Sequence, residues 1–154
     1  MTNKWVSFFI ANEKFCANIS DIKEVLPYQQ ANPFPGSDEN TEGILSIRGE
    51  VITVLDGNKI FSCENIYAKN NIIVIEDQSN TLIGISINGI DEIIEFETVD
   101  IEKTSEQQNS LVLGTIHSNG QLYVVADLAS LLAEQQGTSE DEQQVVVSNG
   151  QKGL

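Results

Sequence analysis

The side chains that most often carry out chemistry are few in this sequence and lie far apart. His117 is the only histidine, and the Ser-Asn-Gly segment that follows it is typical of a turn. Nucleophilic catalysis by a Ser/His/Asp or Cys/His arrangement would depend on that one residue. The two cysteines, Cys16 and Cys63, form no C-x-x-C pair and have no histidine nearby, so neither a disulfide framework nor a zinc site is indicated. We expect an exposed histidine, two buried thiols and no metal.

Carboxylates are abundant, but their positions do not indicate a catalytic pair. The chain has 23 Asp and Glu residues. Neighbouring acids such as Asp21 and Glu24 fall at polar positions of predicted turns and strands, where carboxylates are normally solvated. The sequence contains neither a calcium-binding D-x-[DN]-x-[DN]-G loop nor a glycine-rich phosphate-binding motif. We therefore expect a protein that is not an enzyme and that needs no cofactor.

The charge balance narrows the possible partners. With 8 Lys and Arg against 23 Asp and Glu, the formal net charge is −15, which disfavours binding to nucleic acid or to anionic lipid surfaces. The longest apolar runs, such as residues 72–75, are far shorter than the roughly 20 residues of a membrane-spanning helix. A length of 154 residues suits one domain or two very small ones. We expect a cytoplasmic protein that does not insert into membranes.

Arg48 is the only arginine of the chain, and its setting is unusual. It lies between Gly43 and Gly49, directly before the apolar run at residues 51–55. A guanidinium group presents a fixed fork of donors that suits two-point contact with a carboxylate. Three roles stay open from these facts: holding a carboxylate of the same chain, binding an acidic residue of a partner, or lying exposed on an ordinary hairpin. The glycines indicate positive backbone φ angles or close approaches that a side chain would block.

Strand patterns dominate residues 5–125. Alternation of apolar and polar residues, as at residues 83–88, indicates strands. The β-branched runs at residues 72–75 and 51–55 indicate core strands that are covered on both faces. All three prolines fall within residues 27–35, which predicts a long loop.

The end of the chain has a different character. Asp127 is a suitable N-cap for one short helix that contains Leu128, Leu131 and Leu132. Residues 137–154 are mostly Gly, Ser, Gln, Glu and Asp, which offer too little apolar surface to offset the entropy of ordering. We predict that this tail is disordered.

Two sequence blocks occur twice, which indicates an internal duplication. In the first block, at an offset of 83 − 15 = 68, Phe15, Ile19, Ile22, Glu24, Val25 and Leu26 match Ile83, Ile87, Ile90, Glu92, Ile93 and Ile94. In the second block, at an offset of 120 − 49 = 71, residues 49–61 match residues 120–132 and share a Gly and an Asp. Two lobes of roughly 65 residues would be marginal alone, so they should pack together and leave a groove as a candidate binding site.

The segments at residues 19–26, 43–49 and 51–56, in this order around the proline-rich loop, resemble the CheW-like domain family of bacterial chemotaxis. The similarity covers about residues 5–135, and the glycine-bracketed Ile47-Arg48-Gly49 segment is its most specific part. Because one such domain accounts for residues 1–136, with no receiver, phosphotransfer or ATPase region, the chain is similar to the free-standing coupling proteins of the family.

The resemblance implies an all-β fold of two packed five-stranded SH3-like β-barrels, followed by a short C-terminal helix and the disordered tail at residues 137–154. It also implies a non-enzymatic adaptor in the cytoplasm, recruited to membrane-associated receptor arrays. Such an adaptor couples the cytoplasmic tip of methyl-accepting chemoreceptors to the regulatory domain of the histidine kinase CheA. The receptor tip would lie in the groove between the barrels, as a helix does in a helix-in-groove contact.

Carried over residue by residue, the resemblance places receptor contact on Ile22, Glu24, Gly43 and Arg48. It places the kinase contact on the first barrel, without assigning individual residues. Two positions depart from the family pattern: Ser46 stands where Asn is usual, and Gly57 stands where Leu is usual. We expect the first change to loosen the hairpin that presents Arg48 and the second to remove an apolar anchor.

A second class of function remains compatible with the residues alone. A small-ligand-binding or hydrolytic β-barrel would use the cleft between the lobes and the excess carboxylates. Binding to a kinase and a receptor, or to a metabolite, would separate the two classes.

Overall fold

The computed structural model describes residues 3–64, 67–103 and 110–132. Ten strands make up most of it: β1 (Asn3–Ile10), β2 (Glu13–Asn18), β3 (Glu24–Pro27), β4 (Thr41–Ile47), β5 (Glu50–Asp56), β6 (Asn71–Glu76), β7 (Leu82–Ile87), β8 (Gly89–Phe96), β9 (Val112–Ser118) and β10 (Gln121–Ala126). Helix α1 (Gly57–Ile60) follows β5, 3₁₀ turns lie at Ile19–Asp21 and Thr98–Asp100, and residues 128–132 are helical. The tail at residues 137–154 lies outside the described residues.

The strands form two five-stranded sheets. Sheet A has the order β8-β1-β2-β10-β9, and sheet B has the order β3-β6-β7-β5-β4. Neighbouring strands are antiparallel except for two pairs, β2 with β10 and β5 with β7, which run parallel. The prediction of an all-β fold with two five-stranded units and a short C-terminal helix is confirmed.

The duplication is visible in the strand positions, yet each sheet takes strands from both repeats. Strands β9 and β10 begin 112 − 41 = 71 and 121 − 50 = 71 residues after β4 and β5. Sheet A nevertheless combines β1 and β2 with β8, β9 and β10, whereas sheet B consists of β3 to β7. The lobes therefore do not coincide with the sequence repeats. Four pairings join a strand of one repeat to a strand of the other: β1 with β8, β2 with β10, β3 with β6, and β5 with β7.

Apolar side chains fill three regions. The largest lies between the sheets, and each sheet also contributes to a smaller core of its own. The core between the sheets includes Phe8, Ile10, Phe15, Leu55, Ile73, Ile75, Ile85, Ile87, Leu128 and Leu131. The core of sheet B includes Leu26, Leu45, Ile52, Val54, Ile72 and Val74, and that of sheet A includes Trp5, Cys16, Ile94, Phe96, Ile116 and Tyr123. Strand β6 contributes to both faces, and residues 72–75 are all fully buried as predicted.

Two predictions about burial need correction. Strand β5 is not covered along its whole length: Ile52, Val54 and Leu55 are buried, but Val51 is 61% exposed because it lies next to the turn that ends the β4–β5 hairpin. The thiol of Cys16 is buried, and burial raises its pKa to about 12. Cys63 is only partly buried, because it lies in the connection after α1 rather than in a strand. Neither thiol is part of a disulfide.

The remaining sequence predictions concern single features. His117 is exposed, as expected, and lies in β9 with the turn immediately after it. Asp127 precedes the helical residues 128–132, and its carboxylate accepts a hydrogen bond from the Ser130 hydroxyl at 2.6 Å. Within the described ranges, no helix is both long enough and apolar enough to cross a membrane.

Candidate functional site

The β4–β5 hairpin presents Arg48 at its tip. Arg48 and Gly49 both have positive φ angles, 52° and 80°, and the flanking residues Ile47 and Glu50 are paired across the hairpin. Two consecutive positive φ angles are typical of the tight two-residue turns whose twist matches that of the adjoining strands. Ser46 keeps its pairing with Val51 in this hairpin, so the expected loosening is not visible in the strand register.

Arg48 forms an ion pair with Glu24. One terminal guanidinium nitrogen (Nη2) donates to both oxygens of the Glu24 carboxylate, at 2.8 Å to Oε1 and 2.6 Å to Oε2. Glu24 begins β3, which lies at the opposite edge of sheet B from β4, so the pair links the two edge strands. The Arg48 side chain is 60% exposed and that of Glu24 is 27% exposed. Since the pair lies in solvent, it adds little stability, and the other guanidinium N–H groups remain accessible to a partner.

Lys23 extends the charged surface beside the pair. Its ammonium group lies 3.2 Å from the Glu76 carboxylate and 3.7 Å from that of Glu50. The hydrogen bond to Glu76 raises the pKa of Lys23, and the nearby carboxylates act in the same direction. Together with Glu24 and Arg48, these residues place two cations and three carboxylates at one end of sheet B. Sequence reasoning missed Lys23 and Glu50, although each directly adjoins the conspicuous Glu24 or Gly49 in the sequence.

The other two predicted receptor residues have different settings. Ile22 is half-buried and packs against the core between the sheets, two residues before Glu24. Gly43 is buried in β4 at a shift in strand register, with a φ angle of 148°. A Cβ atom there would lie 2.2 Å from the carbonyl oxygen of Asn32. The structure therefore brings Glu24 and Arg48 into contact, whereas Ile22 and Gly43 support the strands that carry them.

Gly57 shows a similarly close approach at the start of α1. A Cβ atom at this position would lie 2.2 Å from the carbonyl oxygen of Ser86, so a leucine could not be accommodated without a backbone shift. The close approach of the Ser86 backbone therefore accounts for glycine at position 57, where leucine is usual in the family. The apolar surface near the charged site comes instead from Val25, which is 38% exposed, and Val51, which is 61% exposed.

A metal centre does not accompany this surface in the part of the chain that the structure describes. No group of three or more His, Cys, Asp or Glu residues is arranged there to hold a metal ion. What the arrangement offers is an exposed ion pair together with the exposed apolar side chains of Val25 and Val51. These are the elements of a protein-binding surface.

Comparisons with known proteins identify the family and the fold of the chain. A family model described as the CheW-like domain matches residues 4–136. The chain is 19% identical over 136 residues to the chemotaxis protein CheW of Rhizobium meliloti, covering 85% of this chain and 88% of that protein. It is 22% identical over 132 residues to CheW of Thermotoga maritima, covering 84% and 87% of the two chains. The crystal structure of the scaffolding protein TtCheW from Thermoanaerobacter tengcongensis has a similar fold, with a TM-score of 0.73, 24% identity, and coverage of 82% of this chain and 89% of that one.

The two sheets with their shared core have the fold of that structure, and the family model matches most of the chain. The chain belongs to the CheW-like domain family, whose model covers most of its length.

Proposed function

We propose that the protein is a non-enzymatic adaptor that couples the cytoplasmic tip of methyl-accepting chemoreceptors to the regulatory domain of the histidine kinase CheA. It would work in the cytoplasm, at membrane-associated receptor arrays. The observation that supports this most is the exposed Arg48–Glu24 pair at the end of sheet B, in a chain of the CheW-like family. A small-ligand-binding or hydrolytic barrel is not favoured by this family membership.

The ion pair suits a contact that must form and release. An acidic residue of the receptor tip can accept from the guanidinium N–H groups that Glu24 leaves unused, and a basic residue can bind the Glu24 carboxylate. Val25 and Val51 supply the apolar contact that charged groups alone do not provide. Ile22 anchors β3 in the core, and Gly43 lets β4 approach the backbone of Asn32. We therefore propose direct roles for Glu24 and Arg48 and supporting roles for Ile22 and Gly43.

Separate binding measurements test the two partners. Purified receptor-tip fragment and purified kinase regulatory domain should each bind the full chain with dissociation constants at or below tens of micromolar. A parallel thermal-shift screen with metabolites covers the alternative, because a ligand that binds only the folded state raises the melting temperature. Failure of both proteins to bind, together with a clear thermal shift by a metabolite, would reject the adaptor proposal in favour of a small-ligand-binding protein.

Removal of residues 138–154 provides a test of the predicted tail. We expect the truncated chain to have the melting temperature of the full chain and the same affinity for both partners, because the removed sequence is polar and offers little apolar surface to bury. Calorimetry of the two chains side by side measures this. A large drop in melting temperature would show instead that the tail packs on the folded domain.

A further inference from the structure

The turn between β4 and β5 and the start of β3 are joined by two ion pairs of opposite polarity. Arg48 of the turn pairs with Glu24, with 2.6 Å between the guanidinium nitrogen and a carboxylate oxygen. At the start of β5, the Glu50 carboxylate lies 3.7 Å from the ammonium group of Lys23. Each side therefore supplies one cation and one carboxylate, and the two pairs are neighbours in the chain because Lys23 directly precedes Glu24.

Lys23 is fixed beside β6 by its backbone. Its N–H donates to the carbonyl of Val74 at 2.8 Å, next to the position where Glu24 pairs with Val74 across the two strands. Its ammonium group donates to the Glu76 carboxylate at 3.2 Å, at the end of β6. The Lys23 side chain is 32% exposed. One ammonium group thus contacts a carboxylate of β6 and a carboxylate of the β4–β5 hairpin.

Carboxylates outnumber cations at this surface. Two cations face three carboxylates, so the local formal charge is 2 − 3 = −1; the residues are Lys23, Arg48, Glu24, Glu50 and Glu76. The hydrogen bond to Glu76 has the largest effect in raising the pKa of Lys23, and the negative charges around it, that of Glu24 included, raise this pKa further. Glu24 therefore acts on both cations, since it binds Arg48 directly and also attracts Lys23.

Because Glu24 attracts both cations, Lys23 affects how strongly Arg48 is held. A carboxylate of a partner that binds Arg48 competes with Glu24 for the guanidinium group. While Lys23 is present, Glu24 keeps a nearby cation when Arg48 contacts the partner. Without Lys23, one guanidinium group would face three carboxylates of its own chain, and they would hold it more firmly. Since these charges are exposed and screened by solvent, we expect a change of a few-fold.

We propose that Lys23 is a positioning residue of this surface: it sets how firmly the carboxylates of the chain hold Arg48, and thereby how readily Arg48 binds a carboxylate of a partner protein. The effect on a partner rests on the proposed function, in which a partner binds at Arg48. The effect on Arg48 concerns the free chain and can be measured without a partner.

NMR of the Arg48 guanidinium group tests the effect in the free chain. Because Arg48 is the only arginine, isotope-labelled arginine gives the signals of one guanidinium group. Rotation about its Nε–Cζ bond exchanges the two Nη atoms, and this rotation slows when a carboxylate holds Nη2, as Glu24 does. We expect slower rotation in Lys23→Met and faster rotation in Glu76→Gln, which frees Lys23 to pair with Glu24. An unchanged rate in Lys23→Met would overturn the proposal.

The opposite signs of these two effects distinguish positioning from a structural ion pair. Both variants break the contact between Lys23 and Glu76, so a merely structural role would change the rotation of Arg48 in the same direction in each. The double variant Lys23→Met with Glu76→Gln removes one charge of each sign, and its rotation rate should lie close to that of the parent chain. Changes in the same direction in the two single variants would show that the proposal is wrong.

The affinity for the receptor-tip fragment tests the consequence for a partner. Lys23→Met should weaken binding by roughly two- to fivefold, and Glu76→Gln should strengthen it by a similar factor. Lys23→Arg keeps the positive charge and should bind like the parent chain. If the parent chain binds and Lys23→Met binds equally well, the proposal is overturned while the proposed function stands. If the parent chain itself does not bind, the proposed function fails.

Lys59→Met is the matched control for the loss of one ammonium group. Lys59 lies on α1, beyond the end of β5 that is opposite the hairpin turn, and a strand of this length spans roughly 20 Å. This variant should change neither the rotation of the Arg48 guanidinium group nor the receptor affinity. Changes as large as those in Lys23→Met would show a general effect of net charge and would overturn the proposal. Thermal melting of each variant checks that the domain is folded, since exposed ion pairs add little stability.

Discussion

Arg48→Glu is expected to weaken binding of the receptor tip by at least about tenfold, which corresponds to about 1.4 kcal/mol, without unfolding the domain. The substitution replaces the exposed guanidinium by a carboxylate that lies beside the carboxylate of Glu24. Attraction therefore becomes repulsion, both between these two side chains and towards an acidic residue of the receptor. Stability should change little, because the side chain is mostly exposed. Calorimetric titration with the receptor-tip fragment measures the first effect, and thermal melting measures the second.

Two controls separate a contact with the receptor from a general charge effect. Lys59→Glu makes the same change in net charge on α1. In the part of the chain that the structure describes, the Lys59 ammonium group donates to the backbone carbonyl of Glu39. This variant should leave receptor affinity unchanged. The exchange Glu24→Arg with Arg48→Glu restores an ion pair of reversed polarity. If this double variant binds the receptor tip as well as the parent chain does, the pair acts only within the chain, and the proposed contact is wrong.

Gly43→Ala should be the most destabilising single substitution in the hairpin. The new Cβ atom would lie 2.2 Å from the carbonyl oxygen of Asn32, and an L-residue would be forced to a φ angle of 148°. Overpacking and backbone strain each cost about 1–3 kcal/mol, so we expect a loss of about 3 kcal/mol or more and a fall in melting temperature of roughly 10 °C. Thermal unfolding followed by circular dichroism measures the loss.

Two other glycines provide matched comparisons. Gly114 occupies the equivalent position in β9, with a φ angle of 156° and a virtual Cβ atom 2.2 Å from the carbonyl oxygen of Glu102, so Gly114→Ala should cost about as much. Gly49 has a φ angle of 80° but open space around it, so Gly49→Ala should show only the cost of the backbone angle, about 1 kcal/mol. Equal losses at Gly43 and Gly49 would show that the contact with Asn32 is not what requires a glycine.

Much of the fold could be predicted because local patterns determine it. The β-branched run at residues 72–75 is buried on both faces, and Asp127 precedes a short helix, as the residue types indicated. The repeated Gly and Asp positions correspond to real structural equivalence, since the turns at residues 48–49 and 119–120 have nearly the same φ angles. Such features depend on a few neighbouring residues, and they can therefore be predicted from the sequence.

The pairing of strands that lie far apart in the chain could not be predicted from the sequence. The parallel contacts of β2 with β10 and of β5 with β7 join residues far apart in the chain, and alternation within one strand says nothing about its neighbour. The exposure of Val51 depends on its place beside a turn at the end of the sheet rather than on its type. The Arg48–Glu24 contact connects opposite edges of sheet B. Sequence reasoning could offer an intramolecular carboxylate for Arg48 but could not say which one.

The coupling role itself is tested most directly by a three-component assembly. The full chain would be mixed with the kinase regulatory domain and a receptor-tip fragment, and the complex would be analysed by sedimentation velocity with each component labelled separately. The proposed function predicts one species that contains all three proteins, and it predicts that the kinase domain and the receptor tip do not co-sediment when the chain is left out. If the two partners exclude each other from the chain, or if neither binds it, the protein does not couple them.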